Sequence, residues 1–457
     1  MTSDTGGQRY LSVFKAVMMT LGALGVVSSF SYVGGFLGGA SGNASWLVML
    51  IATGLTMCVA CALSAFAHRY VVTGSIMSYL AEVFGSWARL IVGSSYLLGY
   101  VVALSTILLG SAYYINNVLV QIHVGEAGIL GEIVLISGTA VLAGLLTIRG
   151  LDTSATVVTI LTLMSIPGLA VITGGVLRTE GLHLQPQLLL AGASAQSIMT
   201  GIGIGLAFYI GFDGCASLAT DTRNPKRNVP IILLSSIAAC GALMVVAGCL
   251  VQVPALASHT SGLNAGVPPM VILATIGHVG FLALPLSVTF VFATFSSATA
   301  FMNFAARIFA KASTDGMLPR KLKVVHPRYH TPVNAVILLV IAASALPSSI
   351  LVLTRTPALT LMVAFSAAMS YFWFPPYFLV CVGALRLYGR ERQHNIFAVI
   401  AYIVGAVGVL AIALYNLINR APGLLGTVPF ISLGAVGVLS IAYIWRARQQ
   451  TAARAGA

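Results

Sequence analysis

The sequence predicts an all-α membrane protein with about twelve transmembrane helices. Of its 457 residues, 58% are hydrophobic and only 7% are charged, and the mean hydropathy is +0.98. So few charged side chains cannot cover the surface of a water-soluble protein of this length. A bilayer core needs roughly 20 apolar residues per helix, so a helix and its loop, about 38 residues, gives about twelve spans. These proportions exclude a water-soluble enzyme.

Apolar runs that lie between turn residues and charges locate each helix along the chain. The first six helices are predicted near residues 14–39, 45–67, 89–115, 130–148, 154–177 and 197–219. The other six are predicted near residues 229–252, 271–310, 333–352, 358–385, 395–418 and 426–446.

The distribution of lysine and arginine predicts how these helices are oriented. With the N-terminus in the cytoplasm, 20 of the 23 basic residues fall in cytoplasmic segments, and only Arg178, Arg355 and Arg420 fall outside. Adding or removing one helix would move every later loop to the other side. The asymmetry therefore supports both the number of helices and a cytoplasmic location for both termini.

The remaining composition bears on other classes of function. The basic residues that produce the net charge of +13 sit in short clusters between apolar runs, so no nucleic-acid partner is expected. The six cysteines lie inside apolar runs and predict packing, with neither a disulfide, a metal cluster nor a cofactor. The eight histidines lie in loops or near helix ends, and no ring of filter residues repeats. Neither an enzyme nor a passive channel is expected.

Two of the predicted helices are interrupted at corresponding positions. Helix one is broken near Gly25 to Ser31, and helix six is broken near Gly211 to Gly214, 186 residues further along. The starts of helices three and eight, near residues 89 and 275, are about as far apart. Because an odd number of helices separates the copies, the second must be inverted. Paired breaks in inverted halves are typical of a secondary transporter's binding site, although glycine and serine also allow close helix packing.

The chemistry of a broken helix suits a small zwitterion. The free amides after the first break, around Ser29 to Ser31, are expected to bind a carboxylate, and carbonyls near Gly25 and Tyr209 to Gly211 are expected to bind an amine. The aromatic residues near the breaks could shape a side-chain pocket or fill helix interfaces. The predicted binding residues are Gly25, Ser28, Ser29, Phe30, Ser31, Tyr100, Phe208, Tyr209, Gly211, Phe212, Asp213, Gly214 and Tyr371.

Asp213 is the only acidic residue predicted well inside a span. An acid within the membrane indicates function, and here it could neutralise the amine of a substrate. It could equally cap the second half of helix six by accepting hydrogen bonds from that half's free amides. Both interpretations stay open.

Two loops resemble one transporter family. The loop after helix six reads Asp-Thr-Arg-Asn-Pro from Asp221 and reaches a second proline at Pro230, and the loop after helix eight reads Asp-Gly-Met-Leu-Pro from Asp315, then Thr-Pro-Val-Asn from Thr331. This pattern resembles that of the amino acid, polyamine and organocation transporter superfamily over nearly the whole chain. One departure is that Ser28 and Phe30 stand where relatives have glycines.

The resemblance implies a fold and an activity. The fold would be LeuT-like, with a five-helix repeat at residues 14–177, its inverted copy at 197–385 and two peripheral helices at 395–446. Residues 1–13 and 447–457 would be cytoplasmic. The activity would be transport of amino acids across the cell membrane by alternating access, as symport or exchange. A polyamine or other organocation is the alternative substrate, with Asp213 as its counterion.

The resemblance leaves the coupling ion open. Ser296 and Ser297 match the pair of hydroxyls that, in sodium-coupled relatives, completes an oxygen site against helix one. Hydroxyls in a helix also commonly bond to their own backbone. Some sodium-independent relatives instead carry a lysine on helix five, and helix five here has none between residues 154 and 176. Sodium and protons both remain candidate coupling ions, and the oligomeric state is also open.

Overall fold

The computed structural model describes residues 11–257, 259, 267–391, 395–419 and 423–455, and every regular element within these ranges is a helix. The first half contains α1 (Val13–Ala23), α2 (Val26–Ser41), α3 (Ser45–Ala67), α4 (Ser75–Phe84), α5 (Ser86–Gln121), α6 (Ile129–Ile148), α7 (Leu151–Thr179), α8 (Leu184–Leu188) and α9 (Ala195–Ala207). The second half contains α10 (Pro225–Leu243), α11 (Val253–Ala257), α12 (Pro269–Ile276), α13 (Ala283–Thr314), α14 (Val333–Thr354), α15 (Ala358–Glu391), α16 (Ile396–Ile418) and α17 (Leu424–Ala455). Short 3-10 helices cover Gly42–Ala44, Phe212–Asp221, Gly280–Leu282 and Arg320–Lys323, and a π-helix covers Met244–Gln252.

Within the described ranges, eleven helical stretches are long and apolar enough to cross a membrane. The first of them, Val13–Ala67, has 55 residues, whereas one span needs roughly 20. This stretch therefore holds two of the predicted spans, joined by the turn at Gly42–Ala44. The prediction of an all-α polytopic membrane protein is confirmed.

The stretch Ala195–Asp221, which contains the second break, lies at the centre of the bundle. In its apolar centre, 83% of the residues are buried inside the protein, compared with 28% for Ile129–Ile148. Large apolar side chains of the outer helices, such as Leu142 on α6 and Leu353 on α14, are instead exposed, at 59% and 82%. Such a difference in burial is expected when lipid covers the outer helices and the central helices contact only protein.

One predicted helix boundary is wrong. The run predicted as a single helix at 271–310 is divided into α12, a 3-10 turn at Gly280–Leu282 and α13. The predicted helix three corresponds to α5, which begins at Ser86, and the long part of the predicted helix eight is α13, which begins at Ala283. These two starts are 197 residues apart, whereas the prediction gave about 186. The run contains Gly277, His278 and Gly280, turn-forming residues that the prediction passed over. The sequence analysis also missed α4 and α8, which are too short to cross a bilayer.

Candidate functional site

The first break lies between α1 and α2. Gly25 has φ +58°, in the left-handed region that favours glycine, and the helix direction changes there. A Cβ atom on Gly25 would stand 2.6 Å from Ser28 Oγ and 3.1 Å from Ser297 Oγ. The backbone of the break therefore lies directly against α13.

The free amides at this break differ from the predicted ones. Because α2 starts at Val26, the amides of Val26, Val27 and Ser28 occupy its first turn and have no hydrogen-bond partner within α2 itself. The amide of Ser29 donates to the Gly25 carbonyl at 2.5 Å. The Ser29 amide is therefore paired, and the amides without a partner in α2 lie about three residues before the predicted ones.

The serine hydroxyls at the break bond back to the main chain. Ser28 Oγ donates to the Gly25 carbonyl at 3.1 Å, and Ser29 Oγ donates to the Leu24 carbonyl at 3.0 Å. Ser31 Oγ donates to the Ser28 carbonyl and accepts from the hydroxyl of Tyr114. The bond from Ser29 satisfies the Leu24 carbonyl, which lies between the two helices, while the Gly25 carbonyl also accepts the Ser29 amide.

The second break follows α9. Residues 208–211 form a turn in which Gly211 has φ +99°, and the 3-10 helix Phe212–Asp221 begins after it. A Cβ on Gly211 or Gly214 would stand closer than 3.0 Å to the ring of Phe301 or Phe304, respectively. Both glycines are therefore needed because α13 packs directly onto the backbone of this break.

Asp213 is fully buried and lies in a ring of hydrogen-bond donors. Its Oδ2 accepts from the Tyr96 hydroxyl at 2.6 Å, and its Oδ1 accepts from Trp373 Nε1 at 3.0 Å and from the Tyr377 hydroxyl at 2.9 Å. The Ser75 hydroxyl donates to the Asp213 carbonyl at 2.8 Å. The carboxylate thus ties the second break to α5 and α15.

A cavity of about 600 Å³ lies beside both breaks. Its walls include residues of α2, α5, α9, α13, α15, α16 and α17. No acidic, basic or histidine side chain is among the described residues that line it. The polar groups in the wall are the hydroxyls and amides of Ser28, Ser29, Tyr32, Thr106, Gln196, Thr200, Thr294, Ser297, Ser366, Ser370, Tyr371, Asn416 and Asn419.

The cavity brings together some of the predicted binding residues. Those that line it are Gly25, Ser28, Ser29, Phe208 and Tyr371. Those that lie outside its wall, and are buried around the breaks, are Phe30, Ser31, Tyr100, Tyr209, Gly211, Phe212, Asp213 and Gly214. The second group supports the shape of the site without lining the cavity.

The sequence analysis missed several cavity residues. Tyr32 and Phe36 follow Ser28 at intervals of four, so helical spacing alone could have placed them on the same face of α2. The same spacing relates Gln196 and Thr200 on α9. Asn416 had no such signal, since it belongs to a helix that was expected to be peripheral.

The two serines proposed for sodium have different partners. Ser297 Oγ donates to the Ala293 carbonyl at 3.0 Å and lies 3.4 Å from Ser28 Oγ, at the first break. Ser296 Oγ lies 3.0 Å from Thr162 Oγ1 on α7. Both are oxygen groups near helix one and fit a small hard cation chemically. Of the described residues, no three His, Cys, Asp or Glu side chains lie close enough together to hold a metal ion.

Ion pairs join the helices at the end of the bundle where α1 begins. Lys15 Nζ lies 2.7 Å from a carboxylate oxygen of Asp152 at the start of α7. Arg307 Nε on α13 lies 3.1 Å from Asp221, the last residue of the 3-10 helix. The amide of Leu11 donates to the Asp221 carbonyl at 2.8 Å, which fastens the chain before α1 to the same point.

Asp315, which follows α13, adds two further ion pairs at this end. Its carboxylate lies 2.5 Å from Lys311 Nζ and 3.8 Å from Arg89 on α5. Arg89 precedes Ala103, the first cavity residue of α5, by fourteen positions, or about 21 Å along the helix. We call this end of the bundle the closed end, and the end that carries Gln196 and Asn419 the open end.

Comparison with known proteins identifies one family. The family model described as amino acid permease matches residues 11–441. The chain is 24% identical over 339 residues, 71% of each chain, to the methylthioribose transporter of Bacillus subtilis (strain 168). It is 30% identical over 150 residues to an uncharacterized transporter of Rhizobium meliloti (strain 1021), covering 31% of this chain and 30% of that one.

A plant protein matches over about a third of the chain. The chain is 27% identical over 168 residues to the chloroplastic cationic amino acid transporter 9 of Arabidopsis thaliana, covering 35% of this chain and 27% of that one. The family model spans both breaks and the helices around the cavity, so the resemblance that the two loops predicted is confirmed. The chain belongs to the amino acid permease family and is a membrane transporter of the amino acid, polyamine and organocation kind.

Proposed function

We propose that the protein is a secondary active transporter that moves neutral amino acids across the cell membrane by alternating access. The observation that carries this proposal is the cavity of about 600 Å³, which has no charged side chain in its described wall and adjoins the first turn of α2 at the first break. Such a site matches a substrate whose own two charges cancel.

The first break can bind both charges of an amino acid. The amides of Val26, Val27 and Ser28 form the positive end of α2 and suit a carboxylate. The ammonium group would be held by oxygen acceptors nearby, which include the hydroxyls of Ser28 and Ser297. Backbone dipoles do this without a fixed countercharge, which would be costly to bury in the membrane.

The paired breaks support alternating access between two inverted repeats, residues 14–177 and 197–385. Both breaks contain a glycine with positive φ, Gly25 and Gly211, at positions 186 residues apart. If the termini are cytoplasmic, as the lysine and arginine distribution predicts, the open end faces outwards. The ion pairs at the closed end would then hold the cytoplasmic side shut and must separate when the site opens inwards.

Cationic substrates fit this cavity less well. A polyamine or a cationic amino acid would bring uncompensated positive charge into a wall without an acidic side chain among its described residues. Asp213, the acid closest in sequence to the second break, lies outside the wall with its carboxylate already bonded to three donors. The relatives named for methylthioribose and for cationic amino acids leave the substrate open, so the argument rests on the cavity.

Uptake by the purified protein in liposomes tests the proposal. Labelled alanine uptake is expected to fall in the presence of excess neutral amino acids and to stay within about twofold of its control value with arginine or spermidine, because the wall offers these no counterion. Protein-free liposomes and liposomes with an unrelated membrane protein are the controls. Inhibition by spermidine as strong as that by neutral amino acids would favour the organocation alternative.

The same liposomes identify the coupling ion. Uptake is measured with sodium replaced by choline, and separately with and without a pH gradient. If uptake stops without sodium, and Ser296→Ala raises the sodium concentration needed for half-maximal uptake, the site at Ser296 and Ser297 would be assigned to sodium. Dependence on the pH gradient alone would assign proton coupling, and independence from both gradients would favour exchange.

A further inference from the structure

The open end of the cavity is built partly by helices that were expected to be peripheral. Asn416 of α16 and Asn419, just after α16, line it, together with Gly426 and Pro429 of α17. The described residues offer the side-chain amide of Asn416 no hydrogen-bond partner, whereas Asn419 Nδ2 donates to the Tyr415 carbonyl at 3.1 Å. Asn416 thus presents an uncommitted donor and acceptor at the cavity.

A glycine on α9 allows Asn416 to reach this position. A Cβ on Gly203 would stand closer than 3.0 Å to Asn416 Nδ2. Gly203 itself lines the cavity and precedes Phe208, at the second break, by five residues. Five residues correspond to about 7.5 Å along a helix, so the amide of Asn416 lies beside α9 about that far from the second break.

We infer that Asn416 is a specificity-determining residue that hydrogen-bonds an uncharged polar group at the far end of the substrate. This inference rests on the proposed function, because the breaks must hold the amino and carboxylate groups. The group that fits Asn416 is a carboxamide or a hydroxyl, since each can pair with an amide donor and acceptor and neither brings charge into the cavity.

The substrate must be long enough to carry a polar group from the first break to Asn416. From the carboxylate carbon of glutamine to its side-chain amide carbon there are four bonds, which span about 5 Å when extended. A hydrogen bond adds about 3 Å, and Ser28 at the first break lines the same cavity as Asn416. The cavity of about 600 Å³ has room for glutamine, since that volume corresponds to about 20 water molecules. Alanine has no polar group beyond its ammonium and carboxylate that could pair with Asn416.

The experiment compares substrates of equal length with different ends. The KM values of glutamine, methionine and alanine are measured in liposomes for wild-type protein, Asn416→Leu and Gly203→Ala. Methionine matches glutamine in length and has no amide. Asn416→Leu removes the hydrogen bond. Gly203→Ala places a Cβ against the Asn416 amide and displaces it, although alanine stabilises the helix at position 203. The control is Leu414→Ala, at an exposed position of α16 outside the cavity wall.

Both cavity variants are expected to raise the KM of glutamine about fivefold relative to those of methionine and alanine, as loss of one neutral hydrogen bond would. An unchanged ratio of glutamine to methionine KM in both variants would overturn the inference, while normal alanine uptake would leave the proposed function standing. If the wild-type protein takes up none of the three amino acids, the proposed function fails first and the inference falls with it.

Discussion

The variant Asp213→Ala is expected to lose most of the protein's stability. The change leaves the Tyr96 hydroxyl, Trp373 Nε1 and the Tyr377 hydroxyl without the carboxylate that accepts their hydrogen bonds. All three donors are buried, and each unsatisfied group costs about 1–3 kcal/mol. The sum is a large part of the 5–15 kcal/mol that typically stabilises a folded protein. The measurement is the thermal unfolding midpoint of the purified protein in detergent.

A second acid provides the matched control. Asp152 pairs with Lys15 at 2.7 Å, but its side chain is 52% exposed. An exposed ion pair is worth about 0–1 kcal/mol, so Asp152→Ala is expected to shift the midpoint little. Equal midpoints for the two alanine variants would contradict the structural role of the donor ring.

The variant Asp213→Asn separates hydrogen bonding from charge. Its amide oxygen can still accept from Trp373 and Tyr377, while its NH₂ group now faces the Tyr96 hydroxyl, which can turn to accept. This variant is expected to unfold at a temperature nearer to the wild type than Asp213→Ala does. Reduced alanine uptake by a folded Asp213→Asn protein would assign the charge itself to transport, and full uptake would confine Asp213 to holding the helices.

The breaks were predictable because their cause is local. Gly25 and Gly211 adopt positive φ values, which glycine reaches without strain, and they stand beside the polar residues that satisfy a broken helix. The position of the free amides was not predictable from Ser28 to Ser31. Those serines suggested an irregular backbone, whereas they lie within α2 and bond their hydroxyls back to carbonyls before them.

The surroundings of Asp213 depend on distant parts of the chain. Its partners Tyr96 and Trp373 lie 117 and 160 positions away along the sequence. An isolated acid in an apolar run predicts that some partner exists, but the partner is set by how the helices pack. Asn416 is a similar case, because only the packing of α16 against Gly203 brings a residue so late in the chain to the cavity.

Gly25→Ala is expected to reduce amino acid uptake about tenfold or more while the protein still reaches the membrane. A side chain at φ +58° costs about 1–2 kcal/mol, and a tenfold change in affinity corresponds to about 1.4 kcal/mol. The new Cβ would also displace Ser28 Oγ, 2.6 Å away, and crowd Ser297 Oγ, 3.1 Å away. Both hydroxyls belong to the site proposed for the ammonium group, so affinity for the substrate should fall with them.

Gly39→Ala is the matched control, because Gly39 lies in α2 and no heavy atom would lie within 4 Å of its Cβ. Alanine favours the helix there by up to about 1 kcal/mol, so uptake is expected to stay at the wild-type level. The two variants add the same methyl group to the same chain segment. In Gly25→Ala the methyl group lies at the break, where the backbone is strained, and in Gly39→Ala it lies in regular helix with free space around it. Wild-type KM and maximal rate for Gly25→Ala would therefore show that substrate does not bind at the first break, and the carboxylate would have to be sought at the second.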